Sequence, residues 1–155
     1  MDFSIFRLGH FKIEQCFDCT VPGYLIVSPM APVPTLRDLP RKAQEELGPA
    51  LATTTAVIQN TINPLKIYCA QFGEAEPELH FHVFPRTKDI TDEFLRTYPE
   101  QRNLIHGPVL LEWARDRYRA PQADVWKLTM PVILVLRKEF EHISNRSTGR
   151  ATTAP

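Results

Sequence analysis

Polar and apolar residues alternate along Glu78-Leu79-His80-Phe81-His82-Val83-Phe84, and the pattern stops at Pro85. Period-two alternation of this length predicts a half-buried strand. Leu79, Phe81 and Val83 then face a core, while Glu78, His80 and His82 share the opposite face. Upstream, residues 3–8 and 11–17 read as short strands around Gly9-His10. Val21-Pro22-Gly23 is a turn signal before an apolar strand at 24–28. A loop with two prolines follows at 30–34.

A helix is predicted over 40–62, with Leu47, Leu51, Ile58 and Ile62 forming an apolar stripe. Gly48-Pro49 is expected to bend it, and Asn63-Pro64 to end it. Residues 65–72 form the next strand. A turn at 73–77 joins it to the alternating segment as an antiparallel hairpin. Residues 92–97 suggest a helical turn. Residues 108–118 suggest a helix with Val109, Leu110, Trp113 and Tyr118 near one side. A last helix, with Leu134, Leu136, Phe140 and Ile143 apolar, either begins near Pro131 or is kinked there after starting near Asp124. The polar, small-residue stretch 144–155 reads as a disordered tail behind a single domain at 1–143. Strands in two groups about one long helix, with helices at the end, predict an α+β fold. Its sheet is antiparallel, the long helix follows the third strand, and helices close the chain.

Composition narrows the possibilities. The chain has 155 residues, 18 basic and 18 acidic, so it lacks the excess positive charge of a nucleic-acid-coating surface. No apolar run reaches a membrane span, and no signal peptide is visible at Met1-Asp2-Phe3-Ser4. A cytoplasmic location is expected, with no nucleic-acid or membrane partner. The three cysteines, Cys16, Cys19 and Cys69, fit reduced thiols. Cys16-Phe17-Asp18-Cys19 has Cys-x-x-Cys spacing. Its flanks read as strands, not as the helix start that lowers a thiol pKa in redox versions. No second pair completes a zinc set.

Two imidazoles and a carboxylate on one strand face can serve as nucleophile, proton donor or metal ligands. Three readings stay open on residue type alone: a covalent catalyst, a metal site using Glu78, His80 and His82, and a nucleotide-binding module with little turnover.

The segment from Glu78 to Arg86 resembles the signature of the histidine triad (HIT) family, His-φ-His-φ-His-φ-φ with φ apolar, which commonly continues into Pro-Arg. Counted back from Pro85-Arg86, His82 stands at the third histidine and His80 at the second, while Glu78 replaces the first. Val21-Pro22-Gly23-Tyr24-Leu25-Ile26-Val27-Ser28-Pro29 resembles the family's upstream strand, with Tyr24 where many members carry another histidine. The resemblance spans roughly residues 11–86.

The resemblance implies a HIT-like fold, a homodimer and nucleotidyl transfer through a histidine-bound intermediate without a cofactor. The substrate class is a nucleotide phosphoanhydride or phosphoramidate, with diadenosine polyphosphates as one candidate. His80 then attacks the α-phosphorus and His82 donates a hydrogen bond to the phosphate or leaving group. The Glu78 carboxylate is expected behind His80, orienting its ring. Asp18, Tyr24, Gln71 and Arg86 are the expected nucleotide contacts. Phe3, Phe6, Phe11 and Ile13 are candidate base-pocket residues, although aromatics near strands are more often core.

Overall fold

The computed structural model describes residues 1–74 and 76–149. Five strands, β1 (Ser4–Leu8), β2 (Phe11–Gln15), β3 (Leu25–Pro29), β4 (Lys66–Ala70) and β5 (Phe81–Arg86), form one antiparallel sheet in the order β1-β2-β3-β5-β4. Four α-helices accompany it: α1 (Arg41–Ile62), α2 (Lys88–Thr97), α3 (Gly107–Arg117) and α4 (Gln122–Gly149). This is the expected α+β architecture, with the long helix after the third strand. β5 slots between β3 and β4, so the histidine-bearing strand is paired along both edges.

Strand alternation divides the core into two layers. Phe11, Ile13, Leu25, Val27 and Val83 face α1 and α4 in one cluster. Tyr24, Phe84, Ile90, Phe94, Leu110 and Ala114 form the other, with α2 and α3 as cover. His82 lies on this second face, flanked across the strands by Ile26 and Ala70.

α1 runs unbroken through Gly48-Pro49 and ends at Asn63, whose left-handed backbone caps it. The predicted stripe packs inward, with Ile58 buried and Leu47, Leu51 and Ile62 partly so. α2 starts earlier than the sequence suggests because Thr87 Oγ1 accepts the Ile90 N–H and caps it. α4 begins at Gln122 and carries Pro131 inside it, so the longer of the two readings holds. Val125, Thr129, Ile133, Leu136 and Phe140 recur at helical spacing on its buried side. The helix continues through Gly149, into the segment expected to be a disordered tail; residues 150–155 lie outside the described residues. Among the described residues, no helix is long and apolar enough to cross a membrane.

One difference bears on the site. β5 begins at Phe81 rather than at Glu78. The Leu79 N–H donates to the Val33 carbonyl at 2.8 Å, and the Leu79 side chain is 2% exposed. That anchor draws the chain toward the loop before α1, so it cannot continue the ladder with β4.

Candidate active site

The site is built around β5. His80 lies just before the strand and His82 within it, and both point to the α2/α3 face. Their rings meet edge to face with centroids 4.8 Å apart. The hydrogen bonds assign each ring proton. His80 Nδ1 lies 2.8 Å from the main-chain carbonyl of Glu78, which can only accept, so His80 Nδ1 carries the proton. His80 Nε2 therefore bears a lone pair. It faces His82 Nε2 at 3.2 Å, so His82 Nε2 is the donor in that contact. His82 Nδ1 then accepts from the Tyr24 hydroxyl at 2.8 Å. The result is one directional chain, Tyr24 to His82 to His80 to the Glu78 carbonyl.

Burial keeps Tyr24 and His82 neutral. Tyr24 is 0% exposed and His82 6%. Burial pushes the Tyr24 hydroxyl above its usual range, so it remains a donor. The His82 imidazole is pushed down to about 4, first by burial, then by His80 and the Arg115 guanidinium, with Asp18 opposing. At neutral pH His82 is an uncharged ring with a fixed tautomer. Phe72, 51% exposed, stands with its ring centroid 6.0 Å from that of His82.

The Glu78 expectation needs correction. The group that orients His80 is the main-chain carbonyl of residue 78, not its carboxylate. The side chain is exposed and makes no hydrogen bond or ion pair among the described residues. With β5 starting at Phe81, Glu78 no longer shares the pleated face. The three-ligand metal reading loses its third donor with it. Among the described residues, no group of three His, Cys, Asp or Glu side chains is placed to hold a metal ion.

Tyr24 is also repositioned. It is fully buried and its hydroxyl is engaged with His82, so it supports the site from beneath instead of touching a nucleotide. Arg86 lies at the far end of β5. It stands four positions along the strand from His82, about 13 Å at 3.3 Å per residue. It belongs to a different cavity, with Lys66 and Tyr68. Gln71 is an exposed loop residue just after β4.

Asp18 stays close enough to the pair to influence His82. It is half-buried, and its Oδ1 accepts from Cys16 Sγ at 3.0 Å. The Asp18 carbonyl accepts from Ala120 N–H at 3.1 Å, and Cys19 pairs with Arg119, so the loop is docked on the segment after α3. Both thiols of the Cys-x-x-Cys are free and buried. Burial and Asp18 raise Cys16 well above the thiol range, and burial raises Cys19 to about 11. They are protonated core groups at neutral pH.

Three contributions escape the sequence reading. Gln15, 1% exposed, donates to the Val21 carbonyl at 3.0 Å and accepts the Gly23 N–H at 2.9 Å. It thereby braces the turn that delivers Tyr24. Arg115 on α3 is a cation acting on His82, with no acid paired to it among the described residues. A cavity of about 340 Å³ has Phe3, Glu14, Phe17 and Ile26 in its walls. Neither histidine lines it, but Ile26 is the cross-strand partner of His82. Of the four proposed base-pocket residues, Phe3 alone lines it. Phe11 and Ile13 are fully buried core, and Phe6 stacks on Phe140.

No family model and no curated protein sequence matches the chain. Solved structures with the same fold include a hypothetical histidine triad nucleotide-binding protein from Sulfolobus tokodaii strain 7. It has 12% identity and a TM-score of 0.61 over 92% of this chain and 86% of that one. A Zn-bound histidine triad family protein from Mycobacterium smegmatis gives 13% identity and 0.59 over 94% and 88%. A histidine triad protein from Bradyrhizobium japonicum gives 23% identity and 0.51, over 56% of this chain and 64% of that one. The chain thus spans under two thirds of the Bradyrhizobium protein. At these identities the likeness is one of fold, and the fold is that of histidine triad proteins.

Proposed function

We propose that this chain is a histidine triad hydrolase or nucleotidyl transferase acting through a covalent nucleotidyl-His80 intermediate. The observation that carries the reading is the directional hydrogen-bond chain. It leaves an in-plane lone pair on His80 Nε2 and holds the His82 Nε2 proton beside it. An incoming phosphoryl oxygen that takes over the His82 donor frees that lone pair for attack. His80 Nε2 bonds to the α-phosphorus as the bond from phosphorus to the leaving group breaks and its electron pair departs on that group. The proton stays on His80 Nδ1, donated to the Glu78 carbonyl, which steadies the imidazolium character that develops. Water or another acceptor then displaces His80, releasing the nucleotide and restoring the ring.

The nucleoside sits in the hollow walled by Phe3, Phe17 and Ile26, with Asp18 next to Phe17 on the same loop. A neutral His82 is a weak acid, so leaving groups stable as anions suit the site best. Phosphoanhydrides such as diadenosine polyphosphates fit this requirement better than substrates whose leaving group needs a full proton. The same neutrality favours a second reading, a nucleotide-binding module in which the first step is slow. We further infer a homodimer through β4, an edge strand whose outer backbone is unpaired and whose flanks, Leu65 and Phe72, are exposed.

The test is to mix the protein with α-labelled diadenosine polyphosphate, quench rapidly into alkaline denaturant, where a phosphorus–nitrogen bond to histidine survives, and analyse by mass spectrometry. An adenylyl group on His80 supports the proposal. Turnover without any adduct on His80 refutes the covalent route, and tight binding without adduct or turnover selects the binding module.

A further inference from the structure

We propose that the far end of β5 carries a second ligand site, separate from the histidine pair, for a multiply charged phosphoryl anion. A cavity of about 440 Å³ lies there, lined by Lys66, Tyr68, Arg86, Arg102, Asn103 and Gly107 among others. Three of these are cations. Among the described residues none of the three has an acidic partner; the ion pairs involve other side chains. What sets the hollow apart is convergence: in a chain with equal numbers of acids and bases, three cations and no acid line one cavity.

Arg86 makes the site more than a surface patch. Its guanidinium lies over the Tyr68 ring, 5.9 Å from the centroid, which fixes the plane of the fork. Its Nε is buried and finds no acceptor on the protein, alone among buried side-chain polar atoms of the described residues. A buried donor without an acceptor is costly and leaves the guanidinium uncompensated on the cavity wall, where a phosphoryl group supplies the opposing charge. Lys66 is the cross-strand partner of Arg86, so both cations project from the same face. Arg102 and Asn103 enter from the turn before α3.

The backbone adds to the field. α3 starts at Gly107 on the cavity wall, and its preceding residue, His106, supplies no side-chain cap. Gly107 packs so tightly on Tyr68 that an added Cβ would lie 3.3 Å from the ring. The positive end of the helix is therefore held against the same space. Three cations and a helix N-terminus exceed what one phosphate requires, so the fitting ligand is a condensed phosphate or a compound bearing several phosphoryl groups. The site does not depend on the catalytic reading, since no residue is shared.

Isothermal titration of the full chain with inorganic tripolyphosphate tests this. One equivalent should bind at low salt, and affinity should fall steeply as salt rises. The Lys66→Ser/Arg102→Ser double variant changes only exposed side chains, and it should weaken binding about tenfold or more. Arg86→Met should abolish it, with circular dichroism and melting used to check folding. His80→Gly should bind tripolyphosphate as the parent does. The proposal is overturned if tripolyphosphate fails to bind, if the double variant binds undiminished, or if binding is lost in His80→Gly.

Discussion

The two ends of β5 present opposite polar chemistry on the same sheet face. At the His80–His82 end every ring nitrogen has an assigned partner, and the chain of donors closes on a main-chain carbonyl. At the Arg86 end, among the described residues, a buried donor has no protein partner and three cations lack acids. The difference reflects what each end asks of a ligand. A reacting centre needs one tautomer held in place before substrate arrives, because geometry set in advance lowers the barrier. A binding hollow instead leaves its donors unsatisfied so that the ligand completes them.

The comparison breaks most decisively at His80. His80→Gly should lower turnover of a nucleotide substrate by roughly four orders of magnitude or more, the usual consequence of removing a nucleophile. Steady-state kinetics and binding of a non-hydrolysable analogue will separate the chemical step from affinity, which should be retained. Turnover within tenfold of the parent would remove His80 from the reaction.

A smaller effect should come from pH. His82 is depressed to about 4 in the folded chain, from an ordinary value of 6.5. Between these values the unfolded imidazole takes a proton that the folded one refuses. Its stabilising contribution is therefore complete above pH 6.5 and declines as pH falls toward 4. The loss is on the order of 3 kcal/mol. Urea unfolding across this window should show the decline, and His82→Asn should flatten that part of it.

Tyr24→Phe removes the donor beneath His82 and leaves Nδ1 buried without a partner. We expect a stability loss of about 1–2 kcal/mol. The freed tautomer should also lower kcat roughly tenfold with KM little changed. Melting curves and kinetics on the same preparation check both. A tyrosine that contacted nucleotide directly would raise KM instead.

The smallest effect belongs to Glu78. Because its main-chain carbonyl orients His80, Glu78→Gln and Glu78→His should both leave stability within about 0.5 kcal/mol and kcat within a few-fold. A large drop in kcat for Glu78→Gln would restore the carboxylate to the mechanism.

Much of this was legible in the sequence because alternation reports local geometry. The shared face of His80 and His82 and the inward Val83 follow from period two alone. The long helix follows from its stripe, while the family resemblance marked Tyr24 only as a position where many members carry a histidine and as an expected nucleotide contact. Burial and partner choice were not legible, since both depend on contacts distant in sequence. The Leu79–Val33 hydrogen bond delays the start of β5 and turns Glu78 away. Tyr24 was placed correctly along the chain but not in depth, and only the sheet's layering shows that it lies beneath His82. Arg86 followed Pro85 in a familiar motif, yet four residues of extended strand carry it out of the site. Gln15 and Arg115 carry no motif, and their roles depend on a turn and on a helix docked from elsewhere in the chain.

Gly23 sets a clearance for the whole assembly. Its φ is +75°, and a Cβ placed on it would lie 1.9 Å from Ile62 Cδ1 at the end of α1. No side chain's thickness separates the turn before Tyr24 from the long helix. The proton carried by the Tyr24 hydroxyl is thus seated at a height fixed by the last turn of α1, on the opposite side of the sheet from the reaction. A bulkier residue at 62 would press on that turn without touching any catalytic group. Drift in such a position over evolution would register as a change in tautomer occupancy at His82, and the tuning of the reaction would appear to come from the wrong side of the molecule.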